Sequence, residues 1–98
     1  MAKYDIYEID SGGILLLEIQ SDMLRDLKTT VVVPLLPVTR SQMVRLTPIF
    51  KIGNAEYMMD SPQISSIMRR DLGKLIGHLH PRWETDVTAA LDLLLTGS

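Results

Sequence analysis

Two histidines, two adjacent arginines and two nearby carboxylates are the side chains best suited to chemistry in this 98-residue chain. His78 and His80 stand two apart. On a strand that spacing puts both on one face, where they would supply two of the ligands a zinc ion needs. No third ligand lies near them and the chain has no cysteine, so a polar start to the segment at Pro81 is the simpler reading. Glu84 and Asp86 have the types for acid–base work, but two apart on a helix they point to different sides and read as solvated charges. Arg69-Arg70 is the one adjacent basic pair. On a strand the two would alternate, giving one a phosphate contact or leaving both as surface charge. Tyr57, Met58 and Met59 make a soft apolar patch suited to a partner, with core packing the alternative for at least one Met. No phosphate-binding loop, dinucleotide fingerprint or G-x-S-x-G motif occurs.

These side chains must be positioned by a small set of elements. Residues 4–9 read as a first strand, Ser11-Gly12-Gly13 as a hairpin turn and residues 14–20 as a second strand. Ser21 and Asp22 can bond their own following amides, which suits a strand end. Residues 29–36 form a third strand. Its Val31, Val32 and Val33 favour cover on both faces, while Pro34 demands an edge, a bulge or a strand end. A strand so interrupted belongs to a small, strongly bent sheet. Residues 37–46 read as a loop. Two short strands, 48–52 and 55–59, flank the tight turn Gly53-Asn54, and Ser61-Pro62 ends that hairpin.

Residues 64–79 are ambiguous. Ile64, Ile67, Met68, Leu72, Leu75, Ile76 and Leu79 fit a helical stripe, yet Gly73 and Gly77 each weaken a helix by about 1 kcal/mol. The end is clearer: Pro81 suits a first helical position, Gly97 a C-terminal cap, and Glu84 and Asp86 sit where the helix dipole favours acids. Trp83, Val87, Ala90, Leu91 and Leu94 make one apolar stripe, and Ala89, Leu93 and Leu95 fall outside it. A helix apolar on two sides needs two covers, one from the sheet and one from a second subunit.

The length predicts one domain over residues 1–98. With 46% hydrophobic and 22% charged residues, the chain reads as an ordinary soluble protein. The net charge of −2 disfavours direct nucleic-acid binding. The missing cysteines exclude disulfides and thiolate metal sites and fit a cytoplasmic location. No signal peptide or bilayer-spanning run is evident. The charge is uneven: residues 1–27 carry −4, residues 28–74 carry +4 and the rest −2. That is either a mixed solvated surface or a basic middle that receives an acidic partner segment.

The segments IQSD and VVVPL, then PIFKIGNAEYMM and ETDVTAALDLLLTG, resemble in order and spacing the CcdB toxins of bacterial toxin–antitoxin modules. The resemblance implies a mostly β fold with a C-terminal α-helix: an SH3-like, five-stranded antiparallel barrel with extra strands, as a homodimer. It favours a strand at residues 67–72. It implies a type II toxin of the plasmid-maintenance kind that binds the DNA gyrase A subunit and traps the cleaved-DNA complex. Such a toxin breaks no bond itself and needs no cofactor or metal, so the chain is expected not to be an enzyme. A CcdA-like antitoxin would neutralise it through a disordered tail, and operator DNA would be met only through that repressing complex. No membrane is involved.

By the same resemblance the gyrase-facing residues are Thr96, Gly97 and Ser98, with Asp92, Ser21, Met23 and Leu24. Charge and apolarity assign the antitoxin to Tyr57, Met58, Met59, Arg69 and Arg70. The family's best-known ending is Trp-Gly-Ile, whereas this chain ends Thr96-Gly97-Ser98. Loss of an aromatic anchor costs ~2 kcal/mol or more. Two alternatives follow. The related Kid and MazF toxins share the barrel and cut RNA, for which Arg69, Arg70, His78 and His80 are suitable types. A degenerate, non-toxic homologue would only bind antitoxin and co-repress.

Overall fold

The Leu-rich run ILLLE and the run TTVVVPLLP pair at the centre of one antiparallel sheet. The computed structural model describes residues 3–9, 14–38 and 46–97. Its elements are β1 (Asp5–Ile9), β2 (Ile14–Glu18), β3 (Thr29–Pro37), β4 (Ile49–Ile52), β5 (Ala55–Met59), β6 (Ser65–Met68), β7 (Leu75–His78) and α1 (Glu84–Thr96). Short 3-10 turns at Asp22–Leu24, Ser61–Gln63, Arg69–Asp71 and Pro81–Trp83 join them. The seven strands run in the order β4-β5-β3-β2-β1-β7, with β6 added on β3. The fold is mostly β with a C-terminal helix, and the sheet is curled.

Pro34 marks where β3 changes partner. Leu35–Pro37 pairs with β5, and Thr29–Val32 pairs with β6 on the same edge. A residue without an N–H suits that junction. Its carbonyl still accepts the Asp60 N–H at 3.0 Å.

Residues 64–79 form strands rather than a helix, but of the strand expected at 67–72 only Ile67 and Met68 lie in one. β6 ends at Met68, Arg69–Asp71 is a 3-10 turn, and β7 follows. The chain must pass from beside β3 to the outer edge of β1, where Asp5 and Ile6 pair with His78 and Gly77. Gly73 permits this crossing: a Cβ there would lie 2.0 Å from the Glu8 carbonyl oxygen. The next residue locks it, because the Lys74 carbonyl accepts the Glu8 N–H at 2.8 Å. The hairpin turn expected at residues 11–13 and most of the loop at 37–46 lie outside the described residues.

Alternation along β1, β2 and β3 gives the sheet two unlike faces. One carries Ile6, Leu15, Leu17, Val33 and Leu35, which pack with Phe50, Met59 and Leu79 against Val87 and Ala90 of α1. The Phe50 and Trp83 rings meet at 5.6 Å between centroids. The other face carries Asp5, Tyr7, Leu16, Glu18, Thr30 and Val32, all buried. Residues 65–71 lie over it, with Ser65, Ile67, Arg70 and Asp71 facing Leu16 and Val32 across an open groove.

α1 begins and ends as its residues predict. Pro81 opens the 3-10 turn that runs into it, and the His80 imidazole caps that turn by accepting the Arg82 N–H at 3.1 Å. Gly97 closes it with φ +75°, donating its N–H to the Leu93 carbonyl at 3.0 Å. Leu95 is left 69% exposed.

Candidate functional site

Ser21 shapes the projection between β2 and β3. Its hydroxyl accepts the Met23 N–H at 3.2 Å, a short cap that starts the 3-10 turn. The Leu24, Arg25 and Leu27 amides then bond the Ser21, Asp22 and Leu24 carbonyls. Every residue from 21 to 28 is exposed. Met23 stands 92% exposed, and Leu24 and Leu27 about half so. Three apolar side chains held out on a polar stem suit a protein partner better than a small substrate.

The end of α1 is the second exposed surface. The Thr96 hydroxyl donates to the Asp92 carbonyl at 2.6 Å, so it is spent within the helix. Gly97 has open space around it, with no atom within 4 Å of where a Cβ would stand. Ser98 lies outside the described residues. Beside Asp92 runs an open groove of about 480 Å³, lined also by Tyr4, Glu84, Thr85, Thr88 and Ala89.

Tyr4 joins the two surfaces. It is the one non-glycine among the described residues with positive φ, +73°. That strained backbone is held by two bonds, Tyr4 N–H to Glu18 O at 2.6 Å and Leu79 N–H to Tyr4 O at 2.9 Å. The Lys3 ammonium lies 5.1 Å above its ring, and the Lys3 N–H donates to the Asp22 carboxylate at 2.5 Å. The helix groove and the projection thus share one short tether.

A polar layer lies between the projection and the crossing segment. Glu18 is only 2% exposed. One of its oxygens accepts both the Thr30 hydroxyl at 2.5 Å and the Arg69 guanidinium at 2.9 Å. Its other oxygen is buried without a hydrogen bond, and the buried Tyr7 hydroxyl interacts with the Asp5 carboxylate. Burial raises the Tyr7 pKa, as do the Glu18 and Asp5 charges, against the opposing charge of Arg69. At the sheet edge, Asp5 Oδ1 lies 3.0 Å from His78 Nδ1.

The candidates from sequence are redistributed. His78 turns to Asp5 while His80 caps a turn, so the two are not joined in a metal site. Among the described residues no group of three or more His, Asp or Glu could hold a metal ion. Arg69 and Arg70 sit on a 3-10 turn rather than a strand. Arg69 points inward, with 12% of its side chain exposed, and Arg70 faces solvent. With Lys28 and Met68 they line a cleft of about 290 Å³. Met59 is fully buried and Met58 nearly so, which leaves Tyr57 as the half-buried rim of the expected patch. Sequence reasoning missed Glu18 and Tyr7, although each alternates onto the face away from α1.

The fold is shared with solved structures of proteins described as toxins and endoribonucleases. The chain matches a mycobacterial endoribonuclease in complex with its cognate antitoxin at a TM-score of 0.84, with 16% identity, covering 97% of this chain and 94% of that one. A second mycobacterial endoribonuclease matches at 0.82, with 15% identity over 97% and 90% of the two chains. The Mycobacterium tuberculosis toxin MazF-mt6 matches at 0.76, with 18% identity over 90% and 92%. At such identities the likeness is one of fold. It nonetheless corrects the expectation that the chain is not an enzyme, because proteins described as endoribonucleases are built on this scaffold. In sequence, residues 3–97 match the family model described as CcdB protein, and the chain belongs to the CcdB family. No curated protein matches it in sequence.

Proposed function

We propose that this chain is the toxin of a type II toxin–antitoxin module and that it binds the A subunit of DNA gyrase, holding the enzyme on cleaved DNA. The observation that supports this most is the family match running through α1 to Gly97, where the helix ends in open space. In this reading Asp92, Thr96, Gly97 and Ser98 meet gyrase from the helix, and Ser21, Met23 and Leu24 meet it from the projection. Thr96 offers no aromatic anchor, so the exposed Met23 and Leu24 carry more of the apolar contact.

The working unit is a single domain, a barrel of the SH3-like kind paired through the outer side of α1, where Leu95 is bare. The antitoxin is a CcdA-like chain whose acidic tail meets Arg70 and the Lys28 cleft, with Tyr57 as its apolar contact. One of the solved structures that share this fold is described as bound to its cognate antitoxin. The pair represses its own operon in the cytoplasm. Among the described residues no helix is long and apolar enough to cross a membrane.

A second reading, RNA cleavage, is favoured by the Asp5–His78 pair. A carboxylate orienting a half-exposed imidazole is the usual arrangement of a general base.

The test is capture of a gyrase A fragment by the purified chain, run beside DNA cleavage by whole gyrase and cleavage of a generic RNA. Wild type should bind and promote DNA cleavage. Gly97→Glu should abolish both while leaving antitoxin binding nearly unchanged, its left-handed φ costing only about 1 kcal/mol of stability. A wild type that ignores gyrase and cuts RNA would sink the gyrase reading in favour of the second. A Gly97→Glu variant that still binds would show the wrong end was chosen.

A further inference from the structure

The projection at residues 21–28 has no buried side chain of its own, so apolar packing does not set its pose. Polar ties at its base do. The Gln20 amide donates to the Leu24 carbonyl at 3.2 Å and the Thr29 carbonyl at 3.3 Å. Lys3 holds Asp22 near the tip. Further ties come from the crossing segment, 42 residues away, where Arg69 supplies them.

We propose that Arg69 is a positioning residue that fixes the returning limb of this projection and so aims Met23 and Leu24 at their partner. The proposal rests on the gyrase-binding reading above for what that partner is. Arg69 Nε donates to the Leu27 carbonyl at 2.9 Å, its backbone N–H donates to the Lys28 carbonyl at 2.8 Å, and its Nη1 donates to Glu18 at 2.9 Å. The last bond anchors the guanidinium to the sheet, because Glu18 is itself held by Thr30. One planar group therefore joins β2 to the loop that follows it. A guanidinium can donate to a carboxylate and a carbonyl at once in a fixed geometry, whereas an ammonium on a flexible stem acts as a point charge. Arg69 thus touches no partner in this role, whereas Arg70 beside it remains free to do so.

The discriminating variant is Arg69→Lys, which keeps the charge opposite Glu18 and loses the fork. Arg70→Lys is its control. Hydrogen exchange is read at the Leu24, Arg25 and Leu27 amides, together with affinity for the gyrase A fragment. Arg69→Lys should speed exchange at those amides roughly tenfold and weaken gyrase binding by about the same factor, as expected for one charge-assisted bond. Exchange in α1 and dimerisation should stay at wild-type values, and Arg70→Lys should leave the projection unchanged. Unaltered exchange at residues 24–27 overturns the proposal whatever gyrase does. If exchange rises locally but wild type does not bind gyrase, Arg69 still positions the projection and the identity of the partner is what fails. If exchange rises and gyrase binding is untouched, the aiming role is refuted. Should Arg69→Lys not fold, Glu18→Leu provides the same readout by removing the acceptor that ties the guanidinium to the sheet, and unchanged exchange there is equally fatal.

Discussion

The two faces of the central sheet are both buried, yet one is apolar and the other mixes polar with apolar side chains. Toward α1 lie Leu, Val, Ile, Phe and Met, whose attraction has no direction and tolerates repacking. Away from α1 the polar Glu18, Thr30, Tyr7 and Asp5 are buried beside Leu16 and Val32. Bonds among such groups add little net stability but cost much when broken, because a stranded partner stays buried. The apolar face holds the protein together. The polar face decides where particular loops stand. An apolar second core would cover the sheet as well, but it would not tie Leu27 and Lys28 to residue 69.

The sharpest way to break this contrast is to empty the apolar face. Phe50 is fully buried between the sheet and Trp83. Phe50→Ala should cost about 3–5 kcal/mol, measured by urea unfolding, through lost transfer energy and the cavity left behind. A smaller cost would mean that α1 collapses readily onto the gap. Next comes the closure of the polar face. Gly73→Ala puts a methyl on the Glu8 carbonyl and should cost about 2–3 kcal/mol. Its mark should be regional: faster exchange at the Glu8 amide, with the α1 amides still protected. Uniform loss of protection would show that the two faces do not act separately.

The smallest effect is expected at Tyr7, and it appears with pH. Its folded pKa is raised, so above about pH 10 the unfolded chain gives up this proton first. The folded state then binds more protons than the unfolded one, and stability falls as pH climbs. Tyr7→Phe should cost at most about 1 kcal/mol at pH 7, since it gives up only the interaction with Asp5. It should also flatten the alkaline decline in melting temperature. An alkaline limb identical to that of wild type would place the lost protons elsewhere.

What the sequence made legible was local. The hairpin around Gly53, the interruption at Pro34, and the Pro81 and Gly97 boundaries of α1 each depend on neighbouring residues. Residues 64–79 depend on distant ones. Their apolar spacing allows a helix, and only pairing with β3 and β1 makes them two short strands with a turn between. The Glu18–Arg69 bond spans 51 positions, and no pattern of spacing announces it. Arg69-Arg70 therefore read as one basic pair, although the fold buries the first and exposes the second. Met58 and Met59 misled in the same way. Adjacent residues on a strand point to opposite faces, and here both faces are interior.

The partner change along β3 has a consequence for how the molecule is made. The first five strands are complete by residue 59, but β3 waits for β6 and β1 waits for β7. At about 5–20 residues per second, those two edges stay bare for roughly half a second to four seconds. Bare edges recruit other strands, including those of a neighbouring nascent chain. The delay ends when Gly73 slides past Glu8 and the next strand docks. Slower emergence of residues 60–78 from the ribosome would lengthen the exposure and raise the yield of aggregate, with no change to any side chain.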